Sequence, residues 1–390
     1  AMDRPGYLDL TAPGLSTRGD AVAKARAEGA FARTPFVLAV LRHHEVGVIL
    51  RDRRFRQGSY NWPHTMGLSG PFARFWTRSV IGQEGDAHRR LRGLIVPALS
   101  EAFIADLGPA FTDAAEALAG GLGDRADFIS AFAAPFAGRA IAALLGCNER
   151  LAPTIARDAS TLGLAMGLDC RTHEAAFDAA YLRLDRLAQD LLSGVAARSS
   201  TGLVSRLVDL NRKAGIDEQS LRDLVVIAIF GGVDTTRAQL GLAIQLFGAH
   251  PKEWERLRAN PDLAERAVDA AIRLAPTTTW VTREALEEVR IGDFTIPVGT
   301  TLHLLVNSAA RDRDPDLSFD LGAPARKHFG FGGGAHHCIG HAVARSDIGI
   351  ALRALARHIR GFRLAEGAEN LPDSGNTGPT HLPIVIGRTT

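Results

Sequence analysis

The residues best suited to chemistry surround Cys338, which follows a run of glycines and precedes a helical pattern. Gly332, Gly333 and Gly334 allow positive backbone angles and let peptide N–H groups approach a ligand or a sulfur atom closely. After the cysteine, apolar residues recur at steps of three and four, which is typical of a helix. A sulfur near a helix N-terminus is favoured as a thiolate, and a thiolate suits axial ligation of haem iron. A thiolate ligand of haem iron is therefore one interpretation of the pattern.

Three other interpretations of this segment stay open from its residues alone. A buried cysteine is most often a small apolar side chain without chemistry. Zinc is a second option, with His336, His337, Cys338 and His341 as ligands, although zinc sites normally combine two separated pairs of ligands. The glycine spacing at 330–335 also resembles a dinucleotide-binding loop, but no strand rich in valine or isoleucine precedes it. We rank zinc and dinucleotide binding below haem.

The segment reads Phe331-x-x-Gly334-x-His336-x-Cys338-x-Gly340. It resembles the haem-thiolate signature of the cytochrome P450 superfamily. The resemblance implies haem b as the cofactor and Cys338 as the metal ligand on the proximal side of the iron. It also implies that Phe331 packs near the sulfur and that Gly332 and Gly340 belong to the cofactor-binding loop. His336 takes the place of a basic residue that contacts a haem propionate.

A second unusual segment lies in the middle of a long predicted helix and reads Gly231-Gly-Val-Asp-Thr-Thr236. Each glycine within a helix costs about 1 kcal/mol relative to alanine, and an acid in an apolar stretch costs more. Residues that break local rules in this way indicate a functional site. We expect the Thr235 hydroxyl to bond the Gly231 carbonyl, and Asp234 to reach the pocket and relay protons from solvent. The segment resembles the family's oxygen-binding motif, which implies catalytic roles for these three residues.

Basic residues elsewhere match the contacts that the family makes to the haem propionates. His88 and Arg92 are four residues apart and share one face of a predicted helix. Arg283 corresponds to a further propionate-binding arginine. The resemblance therefore implies that all three bind the cofactor.

By their positions in the resemblance, four residues are expected to face the substrate: Ile227, Phe230, Thr279 and Val281. They are mostly apolar and modest in size, which favours a small or medium hydrophobic compound. Residues 57–82 are expected to form a loop over the pocket. Its aromatic side chains either line the pocket or fix the loop to the body of the protein.

The chain departs from the family at a buried ion network behind the haem. The family carries Glu-x-x-Arg here, but Ala270 takes the place of the glutamate, while Arg273 is present. The arginine that normally completes the network is also missing, with Ala323 at its position. Losing both partners of a buried pair is far less costly than losing one. We interpret the paired absence as the replacement of a network, with Asp269 or Arg326 as candidates for the substitute.

Periodicity and capping residues predict a mainly helical protein with small β-sheets, an α+β class that matches the cytochrome P450 fold. Asp217 begins a long central helix that stops before Pro251 and spans about 45 Å. Further elements are predicted as helices at 20–28 and through 105–213, and as strands at 36–41, 289–291, 294–296 and 301–306. The haem is expected between the central helix and the helix after Cys338. We expect one domain over residues 1–390, with residues 1–5 disordered or left over from cloning.

Composition limits the remaining possibilities. With 45 basic and 43 acidic residues the formal charge is +2, so nothing favours a nucleic acid partner. Cys147, Cys170 and Cys338 are too scattered for a disulfide framework and fit a reducing, cytoplasmic compartment. No signal peptide is evident. The apolar run 225–233 is shorter than the about 20 residues that cross a bilayer, so we expect no membrane association.

The implied activity is that of a haem-thiolate monooxygenase, which inserts one oxygen atom of O2 into an organic substrate. Electrons are expected from a separate ferredoxin and its reductase, docked at a basic patch of Arg89, Arg90, Arg326 and Lys327. One alternative is a haem or gas-binding protein without turnover. Another is an unconventional reaction, such as peroxide-driven oxidation or oxidative coupling. The acid and alcohol of the central helix argue against a peroxygenase, which needs no such proton relay.

Overall fold

The computed structural model of the chain describes residues 5–313 and 318–388. Its helices are, in chain order, α1 (Asp20–Glu28), α2 (His43–Arg51), α3 (Trp62–Thr65), α4 (Pro71–Arg78), α5 (Gly85–Ala98), α6 (Glu101–Asp106), α7 (Gly108–Gly120), α8 (Ala134–Leu145), α9 (Ala152–Gly163), α10 (Glu174–Ser193), α11 (Leu203–Ala214), α12 (Glu218–Ala249), α13 (Pro251–Ala259), α14 (Ala264–Leu274), α15 (Val306–Arg313) and α16 (His341–His358). Its strands are β1 (Phe31–Thr34), β2 (Val37–Val40), β3 (Phe55–Gln57), β4 (Arg125–Asp127), β5 (Trp280–Ala285), β6 (Val289–Ile291), β7 (Phe294–Ile296), β8 (Thr301–Leu305), β9 (Ile359–Leu364), β10 (Glu369–Leu371), β11 (Gly378–His381) and β12 (Pro383–Arg388). The predicted class, mainly helical with small sheets, is confirmed.

The long helix α12 forms the centre of the helical core. The Asp217 carboxylate accepts a hydrogen bond from the Ser220 amide at 2.9 Å, which satisfies one free donor of the first turn. Along the helix, apolar side chains are buried on nearly every face, because α12 packs against α8, α9, α10 and α14. The predicted bounds, Asp217 at the start and Pro251 beyond the end, are confirmed.

The two glycines in the middle of α12 have different structural causes. A Cβ atom at Gly232 would collide with the Ile141 side chain of α8, so glycine leaves room for that side chain between the two helices. A Cβ atom at Gly231 would meet nothing within 4 Å. This second glycine therefore leaves open the space beside the helix.

A five-stranded sheet borders the same space, with the strand order β1-β2-β8-β5-β3. Strands β2 and β8 are parallel, and the other neighbours are antiparallel. Between β5 and β8, Val281 pairs with Leu304 and Thr282 pairs with His303. Because side chains alternate along a strand, Val281 and Thr282 point to opposite faces of the sheet.

The segment 57–82, expected to be a loop, is largely helical. It contains α3, α4 and a short 3₁₀ turn. Pro71 begins α4, where its missing N–H costs nothing. Phe72 and Phe75 are fully buried, and the ring of Phe72 packs edge-on against Phe177 at 5.2 Å. The aromatic residues of α4 therefore fix this segment to the helical core.

Residues 1–4 of the segment predicted to be disordered lie outside the described residues. The Pro5 carbonyl accepts a hydrogen bond from Arg33 Nε at 3.1 Å. Within residues 5–313 and 318–388, no single helix is long and apolar enough to cross a bilayer. The stretches Gly85–Ala98 and Glu101–Gly120, bent by 44° at their junction, meet the length and composition criteria only as a pair.

Candidate active site

A cavity of about 610 Å³ lies between α12, the five-stranded sheet and the loop that carries the cysteine. Gly231 and Thr235 of α12 line one side of it. Phe331 and Cys338 line another side. The two segments that the sequence singled out, about a hundred residues apart in the chain, therefore border one space.

The cysteine loop is shaped by glycines and closed by backbone hydrogen bonds. The Cys338 amide donates to the Phe331 carbonyl at 2.9 Å. Gly332 and Gly334 have φ angles of 68° and 69°, in the left-handed region that favours glycine. At Gly334 a side chain would also collide with the backbone of Leu50 on α2. The loop therefore requires glycine at these two positions for backbone reasons.

Cys338 lies three residues before α16, close to the helix N-terminus as predicted. Burial raises the pKa of the Cys338 thiol. The Gly340 amide and the charges of Arg92 and Arg345 lower the pKa but offset only part of that effect. The helix end thus favours the thiolate as expected, but burial outweighs its effect on the pKa. A bound metal cation would supply the missing charge, since thiolate ligands lose their proton on binding metal.

Next to the cysteine loop, α5 presents His88 and Arg92 to the cavity. Arg92 donates to the His337 carbonyl at 2.9 Å, which ties α5 to the loop. The rings of His88 and His336 are 4.1 Å apart, and His336 Nε2 lies 2.9 Å from a Glu84 carboxylate oxygen. The basic residues predicted on α5 and on the loop are thus brought together.

Buried polar atoms mark this corner of the cavity. The Nε2 atom of His88 is enclosed and has no hydrogen-bond partner among the described residues. Burial, followed by the charges of His336 and Arg92, lowers the pKa of His88 to about 4. Burial works to raise the pKa of Glu84, but hydrogen bonds from His336 and the Gln57 amide lower it to about 2. The N–H group of a neutral imidazole without a partner can donate a hydrogen bond to the carboxylate of a bound ligand.

Arg283 does not line the cavity, which differs from the expectation for a propionate ligand. Its guanidinium donates to the carbonyls of Gly333 at 3.1 Å and Thr282 at 2.9 Å. Burial lowers the pKa of Arg283 to about 10, so the side chain stays charged at neutral pH. In this arrangement Arg283 holds the cysteine loop against the sheet.

On α12, the Thr235 hydroxyl donates to the Gly231 carbonyl one turn earlier, as predicted. Asp234 is placed differently from the expectation, because its carboxylate does not line the cavity. It accepts hydrogen bonds from Arg237 at 2.8 Å and from Asn376 Nδ2 at 3.1 Å. The buried acid is therefore paired with Arg237 and bonded to Asn376.

Sequence reasoning missed both partners of Asp234. Arg237 is three residues further along the same helix, so the spacing of opposite charges was a usable signal. Asn376 lies in the loop before β11, and its distance along the chain gave no such signal. Gly163 of α9 covers the carboxylate, since a Cβ atom there would lie 2.7 Å from the Asp234 oxygens.

Of the four residues expected to face substrate, Ile227, Phe230 and Val281 line the cavity. Thr279 does not, because it is buried beneath the loop before β11 and its hydroxyl donates to the Ser374 carbonyl. Five further wall residues were not identified from the sequence as substrate contacts: Met166, Gln239, Thr278, His303 and Asn376. Of the aromatic residues in 57–82, Trp62 and Trp76 lie on the cavity wall.

Behind the cysteine loop, Asp269 forms the contacts that the departure from the family led us to expect. Its carboxylate accepts from Arg345 Nε at 2.9 Å and lies 3.6 Å from His328 Nε2. Burial raises the pKa of Asp269, but these two partners outweigh it and the net pKa is lowered. Arg345 also lies over the Phe331 ring, 4.7 Å from its centroid. The substitute network thus connects α14 and α16 to the cysteine loop.

Comparison with known proteins agrees with these features. A sequence profile described as Cytochrome P450 matches residues 195–378. Luteothin monooxygenase of Streptomyces thioluteus is 31% identical over 397 aligned positions, which cover 98% of this chain and 96% of the relative. Cytochrome P450-SU2 of Streptomyces griseolus is 30% identical over 368 positions, which cover 88% and 86% of the two chains.

The chain belongs to the cytochrome P450 family. The fold agrees with this assignment: the structure of CalO2 superposes with a TM-score of 0.87, 24% identity and coverage of 98% of this chain and 99% of that chain. A cytochrome P450 of Chondromyces apiculatus gives a TM-score of 0.86 at 21% identity, with 99% and 100% coverage.

As a cytochrome P450, the protein is a monooxygenase with haem b as its cofactor. The residues present fit this group. Cys338 supplies a sulfur on the cavity wall, His88 supplies an enclosed nitrogen without a partner, and Gly231 leaves the opposite wall open. The zinc alternative has no support, since among the described residues no three His, Cys, Asp or Glu side chains are arranged so that they could hold one metal ion.

Proposed function

We propose that this enzyme inserts one oxygen atom of O2 into a small or medium hydrophobic organic substrate, bound beside Gly231 and Thr235. One observation carries the proposal. Cys338 and the Gly231–Thr235 turn line the same cavity of about 610 Å³. The proposed iron ligand and the proposed oxygen-binding turn therefore border one space.

In this proposal Cys338 is the iron ligand, with Phe331, Gly332 and Gly340 around it. His88 and Arg92 bind a haem propionate, supported by their places on the cavity wall. His336 lies beside them, and its Nε2 atom is 2.9 Å from a Glu84 carboxylate oxygen. When bound, the haem supplies the activation of dioxygen, and the protein supplies the ligand, orientation and protons. Arg283 acts indirectly, by fixing the Gly333 carbonyl of the loop.

Two side chains on α12 serve proton delivery in this proposal. The Thr235 hydroxyl stands at the cavity wall, where it can hold a proton donor near the reacting atoms. Asp234 stands behind it, away from the cavity, in its pair with Arg237. Proton transfer through Asp234 requires the carboxylate to exchange one of its partners. Asn376 is suited to that exchange because it belongs both to the cavity wall and to the Asp234 site.

The substrate class is supported by the walls of the cavity. Part of the cavity lining is apolar and consists of Ile227, Phe230, Trp76 and Val281. A lining of this kind stabilises hydrophobic compounds by removing their surface from water. The volume of about 610 Å³ holds both the haem and the substrate, which favours substrates of small or medium size.

A ferredoxin and its reductase are the proposed electron donors. The support is the exposure of four basic residues, of which Arg89 is paired with Asp86: Arg89 and Arg90 on α5, and Arg326 and Lys327 just before the cysteine loop in sequence. Such charges accelerate association with an acidic partner. We place the reaction in the cytoplasm, which the three cysteines without disulfide bonds support.

Turnover under isotopically labelled oxygen tests this proposal. The haem-loaded enzyme would be supplied with NADH, a surrogate ferredoxin, its reductase, ¹⁸O₂ and a library of hydrophobic compounds that perturb the haem spectrum. We expect a product that carries a single ¹⁸O atom and requires the ferredoxin. Electron consumption without labelled product for every compound in the library would contradict the proposal.

A further inference from the structure

The cavity extends to a face of the sheet that the oxygen chemistry does not use. Val281 lies against the cysteine loop, since its Cγ1 atom is 3.9 Å from where a Cβ of Gly332 would be. Thr282, the next residue on β5, points to the other face and pairs with His303 of β8. Thr282 and His303 nonetheless line the cavity. The space therefore continues around the sheet, away from the face that meets the cysteine loop.

His303 is a buried imidazole without a partner at this face. The residue is 3% exposed, and its Nδ1 atom is enclosed and has no hydrogen-bond partner in the described parts of the chain. Its ring stacks on Phe36 at 5.2 Å and meets Trp280 edge-on at 5.5 Å. Burial lowers the pKa of His303 to about 4, so the ring is neutral at neutral pH. A buried polar group of this kind costs free energy unless something bonds to it.

Ser59 provides a second buried polar group that lacks a hydrogen-bond partner. Its Oγ atom is buried and has no hydrogen-bond partner among the described residues, and the residue lines the cavity. The backbone of Ser59 is fixed, because its carbonyl accepts from Trp76 Nε1 at 2.8 Å. A Cβ atom at the preceding Gly58 would lie 3.1 Å from Thr282 Cβ, so this turn packs against the strand neighbour of His303.

Aromatic rings border the same region. Phe36 lies on the cavity wall between His303 and Trp62, with its ring centroid 6.2 Å from that of Trp62. The Trp62 ring is fixed, since its Nε1 donates to the Ala165 carbonyl at 2.9 Å. Flat apolar walls thus adjoin two unpartnered polar groups, and this combination suits an aromatic or unsaturated group that carries one polar substituent.

The charges at the wall restrict what that substituent is. Among the described wall residues the arginine is Arg92, and its guanidinium is directed to the cysteine loop through its bond to His337. The imidazole of His303 is neutral. A carboxylate or phosphate placed here would lose its hydration without gaining a cation. An uncharged hydroxyl or carbonyl oxygen loses much less and can form a hydrogen bond with the free polar atom of His303 or of Ser59.

We propose that His303 and Ser59 form a substrate-recognition subsite that binds an uncharged hydroxyl or carbonyl oxygen, with Phe36 and Trp62 against the adjoining ring or chain. The proposal rests on the function proposed above and deepens it by naming a polar feature of the substrate. A substrate analogue without the oxygen leaves both groups unpaired, which is a strong basis for discrimination. The subsite orients the substrate from the side away from the iron ligand.

Equilibrium dialysis of matched aromatic probes against the haem-loaded ferric enzyme tests the subsite without electrons or turnover. The probe pairs are biphenyl with para-phenylphenol and naphthalene with β-naphthol. We expect the hydroxylated member of at least one pair to bind about tenfold more tightly, the effect of one net hydrogen bond. Replacing His303→Phe keeps the ring contacts with Phe36 and Trp280 and removes the hydrogen bond. It should reduce the preference to about twofold or less, and Ser59→Ala should reduce it in part.

The matched control is His43→Phe, because His43 also lies against a phenylalanine, Phe329, at 4.7 Å but is not part of the cavity wall. This variant should keep the full preference. The subsite would be overturned if the wild-type enzyme prefers neither hydroxylated probe. Weak binding of both members of each pair counts as that result. A preference unchanged in both His303→Phe and Ser59→Ala would overturn it as well. If the enzyme forms labelled product but shows no preference for the hydroxylated probes, the subsite alone is refuted. If it prefers the hydroxylated probes but forms no labelled product, the proposed function alone is refuted.

Discussion

The guanidinium of Arg237 lies 2.8 Å from the carboxylate of Asp234, one turn earlier on α12, and both side chains are buried. The acid expected to relay protons is therefore bound to a cation of its own helix. The pair lies in the interior next to Thr235, and unlike Thr235 the Asp234 carboxylate does not line the cavity. Two consequences follow, one for stability and one for catalysis.

Replacing Arg237→Met should destabilise the enzyme by about 3–5 kcal/mol, because it leaves a buried carboxylate without its cation. The double variant with Asp234→Asn should be markedly more stable than Arg237→Met alone, since the charge that needed a partner is gone. Urea unfolding of the haem-loaded proteins gives both values. If the two substitutions destabilise additively, the residues are not coupled and this description of the pair is wrong.

Replacing Asp234→Asn should lower product formation by about a hundredfold while electron consumption continues, because the amide cannot transfer a proton. Asp223→Asn is the matched control. Asp223 is also buried on α12 and is paired with Arg78, but its partners Arg78 and Gln219 do not line the cavity, whereas Asp234 is bonded to Asn376 of the cavity wall. Its variant should keep the ratio of product formed to NADH consumed. Equal ratios in Asp234→Asn and the wild type would show that Asp234 does not deliver protons.

His303 should make the enzyme sensitive to mild acid. Its pKa is about 4 when folded and 6.5 in the reference state, so the unfolded chain takes up the proton first as the pH falls. This contribution to stability is complete above pH 6.5 and is lost as the pH falls from 6.5 towards 4. Between pH 7 and pH 5 the loss is roughly 2 kcal/mol. Denaturant unfolding at the two pH values should show a smaller loss in His303→Phe, and an identical loss would contradict the buried neutral imidazole.

The network of Asp269, Arg345 and His328 should make a glutamate at position 270 unnecessary. We expect Asp269→Asn to lower stability by about 1–2 kcal/mol, a modest value because the pair is about one-third exposed. Ala270→Glu, which restores the family's usual residue, should leave stability unchanged or lower it. Thermal unfolding and haem retention measure both effects. A sharp gain in either property on Ala270→Glu would mean that the family network was lost without replacement.

Features that depend on neighbours in sequence could be predicted. The cap at Asp217 and the bond from Thr235 to Gly231 follow from spacing within one helix. The cysteine loop was recognisable because its glycines and Cys338 are contiguous. These local patterns, together with the order of the motifs, sufficed for the fold class and for the segments that border the cavity.

Features that depend on tertiary packing could not be predicted. Thr279 was expected in the cavity, but the loop before β11 covers it and takes its hydroxyl. Asn376 reaches Asp234 from 142 residues away, and no local pattern marks such a pair. His303 reads in sequence as one residue of an apolar strand. The structure adds that the cavity reaches this face of the sheet, so that a bound molecule can contact His303.

The absorption spectrum of the reduced enzyme under carbon monoxide tests the central claim, that Cys338 is the thiolate ligand of a haem in this cavity. We predict a strongly red-shifted Soret band for the wild-type protein, and its loss in Cys338→Ser while Cys170→Ser keeps it. Cys170 is a suitable control because it is buried and is not part of the cavity wall. A wild-type Soret band without that shift, or the same shifted band in Cys338→Ser, would contradict the account.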